Sequence, residues 1–242
     1  MIYRAMGIMS GSSLDGLDIV VVELEEQQRK WQMQVLAAEC LPFDDTWVNR
    51  LKDATSLNAR DHALLDADFG HYIGQQVNAF IGKYGLDYKV ALIASHGHTS
   101  FHIPPRTTVQ LGHGAAIATE TGLPVVTDLR SVDVALGGQG APIVPMGEKL
   151  LWPQIPLLLN IGGIANISVR KGSDYIAYDI CPANRVLNML AAVAGKKYDD
   201  GGTMASSGKV IPGLLEQLNS EPYYSLPYPK SLGNDFGIDV IY

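Results

Sequence analysis

Asp179 closes an apolar run that begins at Tyr175, with Pro182 three residues on and a helix-forming stretch behind it. A carboxylate in that position has two uses. Facing a cleft beside a helix N-terminus, it takes a proton from a hydroxyl or a water as a general base. Pointing along the chain, it caps the helix at Ala183 or Asn184. Both readings stand on the residues alone. Two glycine turns form the second feature: Met9-Ser10-Gly11-Ser12-Ser13-Leu14-Asp15-Gly16, and Gly162-Gly163-Ile164-Ala165-Asn166. Glycine lets backbone amides come close to an anion, and successive N–H groups in such turns form concave anion sites. Ser12 and Ser13 add hydroxyl donors, while Asp15 and Asp18 are the residue type that holds magnesium directly or through water. Each turn by itself also reads as a plain strand connection. Neither is a P-loop, because no Gly-Lys-Ser/Thr follows, and neither opens a dinucleotide fold, because a strand follows rather than a helix. Their matching positions favour a phosphate ligand.

Three histidines, His96, His98 and His102, lie close together at spacings of two and four. No His pair on a helix in the HExxH style is present, so a loop lining a polar ligand is favoured over zinc. Arg130, in Asp128-Leu129-Arg130 with Asp133 nearby, either grips a carboxylate bidentately or forms a structural ion pair with Asp128 or Asp133. Cys181 reads as packing rather than as a nucleophile. His62, His71 and His113 read as ordinary helix or loop residues.

The elements that position these residues follow from periodicity. Ile2 to Ile8, Leu17 to Leu24 and Trp31 to Leu41 read as an antiparallel meander, with a polar turn at Gln27 to Lys30. Leu65, Phe69, Ile73, Val77 and Phe80 fall at spacings of 4, 4, 4 and 3, one apolar face of a helix from about Asp61 to Lys83, stopped by Gly85. Val90 to Ala94 is a short apolar run, and Ser95 to Thr99 is expected as a loop after it. A helix over 114–121 and a strand at 125–127 follow. The stretch LGGQGAPIVP at 136–145 is a glycine- and proline-rich break. After it the opening pattern recurs: strand 155–161, glycine turn, strand 167–170, strand 175–179, then a helix carrying Leu187, Leu190, Ala191 and Ala194 on one face. Strand, glycine turn, strand, strand, helix thus occurs twice, which implies two α/β lobes facing each other, 1–135 and 136–242.

Composition narrows the classes. With 242 residues the chain is long enough to bury a core without staples. Its 18 Lys plus Arg against 25 Asp plus Glu give a net charge of −7, which argues against a nucleic-acid binder and against a polybasic membrane anchor. Two cysteines exclude a disulfide scaffold and a four-cysteine zinc site, so a reducing cytoplasm is expected. No apolar run is long enough to span a bilayer, and Gly7, Ser10 and Gly11 interrupt the N-terminus where a secretory signal would need continuous apolar residues.

The run Gly7-Ile8-Met9-Ser10-Gly11-Ser12-Ser13-Leu14-Asp15-Gly16-Leu17-Asp18 resembles the opening signature of anhydro-N-acetylmuramic acid kinases. The resemblance continues through Ser95-His96-Gly97, Thr127 to Arg130 with Asp133, Gly137 to Pro142, Asn160 to Asn166, the Asp179 segment, Ala205 to Val210 and Pro229-Lys230-Ser231. It implies a two-lobe actin-like ATPase fold (ribonuclease H-like) whose second lobe is incomplete here, since family members continue well past the position of Tyr242. It also implies ATP and Mg2+, with phosphates on Gly11, Ser12, Ser13, Leu14, Asp15, Gly16, Leu17 and Asp18 and on Gly162, Gly163 and Asn166. Asp15 would serve the metal. His98, Thr99, Asp128 and Arg130 would face the sugar, and Asp179 would activate the water that opens the anhydro bridge. The implied partners are anhydro-N-acetylmuramic acid and ATP, with no nucleic acid or membrane and with a homodimer as one option. Two alternatives stand beside this: a non-catalytic sugar- or phosphate-binding remnant, and a kinase for another sugar. The chain departs from the family pattern at His98, where glutamine is usual. It departs again at Ile180-Cys181-Pro182-Ala183-Asn184, where Thr-Gly-Pro-Gly-Asn is usual.

Overall fold

The computed structural model describes residues 1–172, 174–233 and 236–242. The chain divides into two compact units, Met1–Ile143 and Val144–Tyr242, with the division inside the glycine- and proline-rich break.

The first unit opens with β1 (Ile2–Ser10), β2 (Gly16–Gln27) and β3 (Lys30–Pro42), an antiparallel meander in which Ser10 faces Leu17 and Gln27 faces Lys30. Gln28 and Arg29 both adopt positive φ (51° and 65°), so the β2–β3 connection is the two-residue turn whose twist matches its strands. Helix α1 (Asp45–Lys52) is capped by the Asp44 carboxylate, which accepts the Trp47 N–H. Helix α2 (Ala59–Tyr84) starts at Asn58, whose side chain accepts the Asp61 N–H, and ends at Gly85 with φ 58°. Its expected face, Leu65, Phe69, Ile73, Val77 and Phe80, is buried. These residues share one core with Met6, Ile8, Leu17, Ile19 and Val21, so the helix covers one face of the meander.

Next come β4 (Leu92–Ile103), β5 (Thr107–Leu111), α3 (Gly114–Thr121), β6 (Val125–Val126) and the short α4 (Ser131–Ala135). The sheet order is β3-β2-β1-β4-β5, with β6 also on β4; β1–β4 and β4–β6 are parallel, the other pairs antiparallel. The expected loop at Ser95 to Thr99 is instead the middle of β4. Apolar content alone stops at Ala94, but β4 continues because β1 pairs with it at Ser95 and His98 and β5 returns along residues 98–103. The polar residues are thereby carried on a strand whose backbone is satisfied by its neighbour.

The second unit contains α5 (Val144–Leu151), then β7 (Leu157–Ile161), β8 (Ile164–Lys171) and β9 (Asp174–Pro182) in an antiparallel sheet of order β7-β8-β9. Helix α6 (Asn184–Val193) follows directly, then α7 (Thr203–Ser207) and α8 (Pro212–Asn219), and a π-helical turn over Phe236–Ile241. Two expectations are corrected. The glycine turn is only Gly162–Gly163, because β8 begins at Ile164, and Asn166 lies in a strand rather than in a bend. Strand β9 also runs past Asp179 to Pro182, so Asp179 sits inside the sheet rather than at its end. The strand, glycine turn, strand, strand, helix pattern recurs as inferred, and the chain is a mixed α/β protein. No helix among the described residues is long and apolar enough to cross a membrane.

Candidate active site

In the first unit the glycine turn connects β1 to β2. Ser10 ends β1 fully buried, with its hydroxyl 3.1 Å from Nδ1 of the buried His98 on β4. Leu14 N–H donates to Gly11 O, and Ser13 Oγ donates to Asp15 Oδ1 at 2.7 Å. Leu14 holds φ 57°, a conformation that costs an L residue about 1–2 kcal/mol. Its side chain packs against the core, which offsets that cost and pins the turn. Gly16 is fixed by closeness rather than by φ: a Cβ there would lie 2.5 Å from Leu41 O. Asp15 and Asp18 are both exposed. Leu17 is not: it is fully buried in the core, so its contribution to the turn is that of a side-chain anchor.

Behind this turn is a polar network that the sequence left open. His96 Nδ1 lies 2.9 Å from Gly97 O, and Arg130 Nε donates to His96 Nε2 at 2.7 Å. A guanidinium only donates, so Nε2 must accept and Nδ1 must carry the proton. His96 is therefore held neutral, and burial, with the Arg130 charge second, lowers its pKa to about 4. Arg130 Nη1 donates to Gly140 O at 2.5 Å, and Gly140 N–H donates to the Asp133 carboxylate at 2.6 Å. The 137–140 glycine segment is thus tied to β4 through one arginine. Asp128, at φ 58°, accepts from Ser131 Oγ. Thr99 Oγ1 accepts from the Gln110 amide, which also donates to Thr108. His102 Nε2, Gln110 Oε1 and Ser95 Oγ are buried with no hydrogen-bond partner. The structure therefore brings His96, His98, Thr99 and Arg130 to the β4 strand and its neighbours. Among the described residues no three His, Cys, Asp or Glu side chains converge as a metal site.

In the second unit Asp179 is buried, facing Asn166 across the β8–β9 ladder at a register shift that leaves Ile180 bulged out. Bulges of this kind re-aim side chains and recur beside active sites. Asp179 Oδ2 accepts the Leu232 N–H at 2.9 Å, its carbonyl accepts the Tyr223 hydroxyl at 2.7 Å, and its own N–H donates to Lys230 O. Burial, followed by the Asp179 charge, pushes the Tyr223 phenol well above its ordinary range, so the hydroxyl stays protonated and keeps donating. Lys230 Nζ donates to the Tyr223 and Tyr224 carbonyls and stands 4.5 Å over the Tyr223 ring. Asn166 Oδ1 is buried and has no hydrogen-bond partner. The capping alternative for Asp179 is corrected: the cap of α6 is Ala183, with no side-chain hydrogen bond. The first amides of α6 go to the glycine turn instead, Ala183 and Arg185 N–H to Gly163 O and Asn184 N–H to Gly162 O. Cys181 is partly buried, which raises its thiol pKa and fits packing.

Sequence reasoning missed Tyr223 and Leu232, which come from sequence positions far from Asp179 and carry no motif. Lys230 stands out in the sequence only within the family-like run Pro229-Lys230-Ser231. Sequence reasoning also missed the His96–Arg130 pair, for which the dipeptide His96-Gly97 was the sole signal in the sequence. A groove of about 470 Å3 along α1 and α2, lined by Arg50, Asp61, Leu65 and Asp68 among others, includes none of the candidate site residues.

The family model for anhydro-N-acetylmuramic acid kinase matches residues 3–238. A relative named anhydro-N-acetylmuramic acid kinase from Shewanella oneidensis is 37% identical over 95% of this chain and 65% of its own length. One from Streptomyces coelicolor is 38% identical over 96% of this chain and 63% of its own length. One from Azorhizobium caulinodans is 36% identical over 96% of this chain and 67% of its own length. The strand order around two glycine turns defines a mixed α/β protein, and the family match runs over both units. The chain belongs to the anhydro-N-acetylmuramic acid kinase family. It spans just under two thirds of the length of the first of these relatives.

Proposed function

We propose that this polypeptide carries the sugar-opening machinery of a kinase that converts 1,6-anhydro-N-acetylmuramic acid, ATP and water into N-acetylmuramic acid 6-phosphate and ADP, within cytoplasmic cell-wall recycling. The observation that supports it most is the family match from residue 3 to 238, a span that includes both glycine turns and Asp179. Asp179 is the general base. It takes a proton from water as the water oxygen bonds to the anomeric carbon; the bond from that carbon to the bridging oxygen breaks, and the freed oxygen takes the γ-phosphoryl group. The Leu232 N–H on Oδ2 and the Tyr223 hydroxyl on the main chain orient the carboxylate, and the unpartnered Asn166 Oδ1 beside it is an acceptor ready for a ligand hydroxyl.

Sugar contacts fall to His98, Thr99, Asp128 and Arg130. His96 aims Arg130. Phosphates contact the turn from Gly11 to Asp18, with hydroxyls from Ser12 and Ser13, and in the second unit Gly162 and Gly163. One exposed carboxylate, Asp15, fits the usual way magnesium is held on a nucleotide, by one or two carboxylates with water and phosphate oxygens; Mg2+ there neutralises phosphate charge. The fold of each unit is read as one lobe of an actin-like ATPase.

The test is incubation of the polypeptide with the anhydro sugar, ATP and magnesium, followed by analysis for phosphorylated sugar. Turnover supports the reading, and Asp179→Asn removes turnover while leaving the circular dichroism spectrum and melting temperature near those of the parent. Near-normal turnover in that variant overturns the base assignment. Sugar binding without turnover in the parent favours a binding remnant.

A further inference from the structure

Asp133 stands on α4, three residues after Arg130, and is exposed. The chain that follows nevertheless winds around it. The Asp133 carbonyl accepts the Gly138 N–H at 2.8 Å, and Oδ2 accepts the Gly140 N–H at 2.6 Å. Gly138 leaves the carboxylate its room: a Cβ there would fall within 2.6 Å of Cγ and of both carboxylate oxygens. Gly140 is buried at φ 65°, where a Cβ would stand 2.6 Å from Val134 Cγ2. One aspartate thus fixes residues 138–140 from two sides, and the two glycines permit the fit.

What this segment holds is the arginine. Gly140 O accepts from Arg130 Nη1 at 2.5 Å, and His96 Nε2 accepts from Arg130 Nε at 2.7 Å. A guanidinium is planar and its N–H groups form a rigid fork, so contacts on two of its nitrogens fix the plane of the whole group. The first acceptor is a loop carbonyl, and a loop carbonyl is only as fixed as the peptide units beside it. The second belongs to β4, where the ring is steadied by its own contact with Gly97 O. The Asp133 carboxylate holds the peptide unit before Gly140, and Arg130 takes the carbonyl of the unit after it. Both hydrogen bonds in this link have a charged partner, which makes them the stronger kind.

We propose that Asp133 is a positioning residue for sugar binding: through Gly140 its carboxylate sets the plane of the Arg130 guanidinium. The role in binding rests on the reading of Arg130 as a sugar contact, whereas the effect on the guanidinium does not.

The test compares the 242-residue chain with its Asp133→Ala, Asp133→Asn and Gly138→Ala variants, each well below its melting temperature. Two quantities are read: the ring 15N resonances of His96, and the Kd for the anhydro sugar by calorimetry. Asn keeps an acceptor for the Gly140 N–H, so Asp133→Asn is expected to retain the parent's Nε2 resonance and affinity. In Asp133→Ala the Nε2 resonance moves toward that of a ring without a donor, and sugar binds about tenfold more weakly, the worth of one hydrogen bond. Gly138→Ala, whose methyl takes the carboxylate's place, does the same, and it decides if Asp133→Ala does not fold. A lower melting temperature with unchanged His96 resonances and unchanged Kd would make Asp133 merely a loop brace and overturn the proposal. So would an Asn variant as impaired as the Ala variant, since charge rather than the Gly140 contact would then be at work. A parent that binds no sugar counts against the kinase reading; the His96 resonances then decide alone whether Asp133 sets Arg130, and their constancy across the variants refutes it.

Discussion

Acidification should loosen the first unit through one histidine. His96 is neutral in the folded state with a pKa of about 4, against 6.5 when unfolded. Its folded pKa is lowered, so at pH above 6.5 both states are neutral and the group has no effect. As pH falls through 6.5, the unfolded chain binds a proton that the folded chain refuses, and stability declines until pH reaches about 4. At 1.36 kcal/mol per pKa unit, the loss from pH 7 is about 2 kcal/mol at pH 5 and about 3 kcal/mol at pH 4. Two structural facts set that resistance: Nε2 already accepts from the Arg130 guanidinium, and the ring is buried. His102, lowered by burial and by Arg130, pushes in the same direction. The assay is urea unfolding at pH 7, 6 and 5, read from Trp47, which packs on Phe69 and Tyr72, with Trp31 and Trp152 replaced by Phe. The comparison is parent against His96→Gln, since Gln keeps a side-chain acceptor and does not titrate. The stability difference between them should narrow by about 2 kcal/mol from pH 7 to pH 5. A difference that stays flat over that range would refute the tautomer assignment and the Arg130 lock with it.

Three further outcomes are expected. Gly97→Ala should destabilise the first unit by at least about 2 kcal/mol in urea, because Gly97 holds φ 69° and a Cβ would stand 2.0 Å from Leu111 O. Tyr223→Phe removes a buried hydrogen bond to the Asp179 carbonyl and should lower the stability of the second unit by about 1–2 kcal/mol, visible as a lower urea midpoint for unfolding of the Val144–Tyr242 unit. Phe69→Ala, at the centre of the core, should cost about 3–5 kcal/mol by the same measurement in the first unit.

Periodicity made α2 legible to within two residues at each end, and Gly85, which takes the left-handed conformation that closes the helix, marked its C-terminal end. The meander was legible from composition: Leu17 to Leu24 is rich in β-branched residues, Ile19 to Val22 in a row, and the turn at Gln28–Arg29 is polar. What failed was the reach of strands. β4 continues through the largely polar Ser95-His96-Gly97-His98-Thr99, and β9 continues past the carboxylate of Asp179 through Ile180 to Pro182. In each case partners elsewhere in the sequence supply the pairing, β1 and β5 in one and β8 in the other, and no local pattern encodes a partner's length. The site shows the same division. Asp179 and the glycine turns stood out by type, whereas their supports, Tyr223, Leu232 and the His96–Arg130 pair, depend on contacts made across 44, 53 and 34 residues of chain.

The two glycine turns look alike in sequence but differ in what their backbones are free to do. In the first, six residues separate the paired ends, one of them a leucine held at positive φ and anchored in the core, so the bend keeps its shape while Ser13 and Asp15 remain at the surface. In the second, three residues separate the paired ends, two of them glycines whose carbonyls are spent on the first amides of α6. The oxygens of Gly162 and Gly163 point into the protein, so this turn's structural work is to set where α6 begins. The departure from the family pattern at Ala183 falls on this same joint, as the cap of α6 and the donor to Gly163 O at 2.8 Å. The first turn thus meets a phosphate with surface side chains as well as backbone, whereas the second, beside the phosphate contact proposed for its amides, sets where α6 begins behind Asp179.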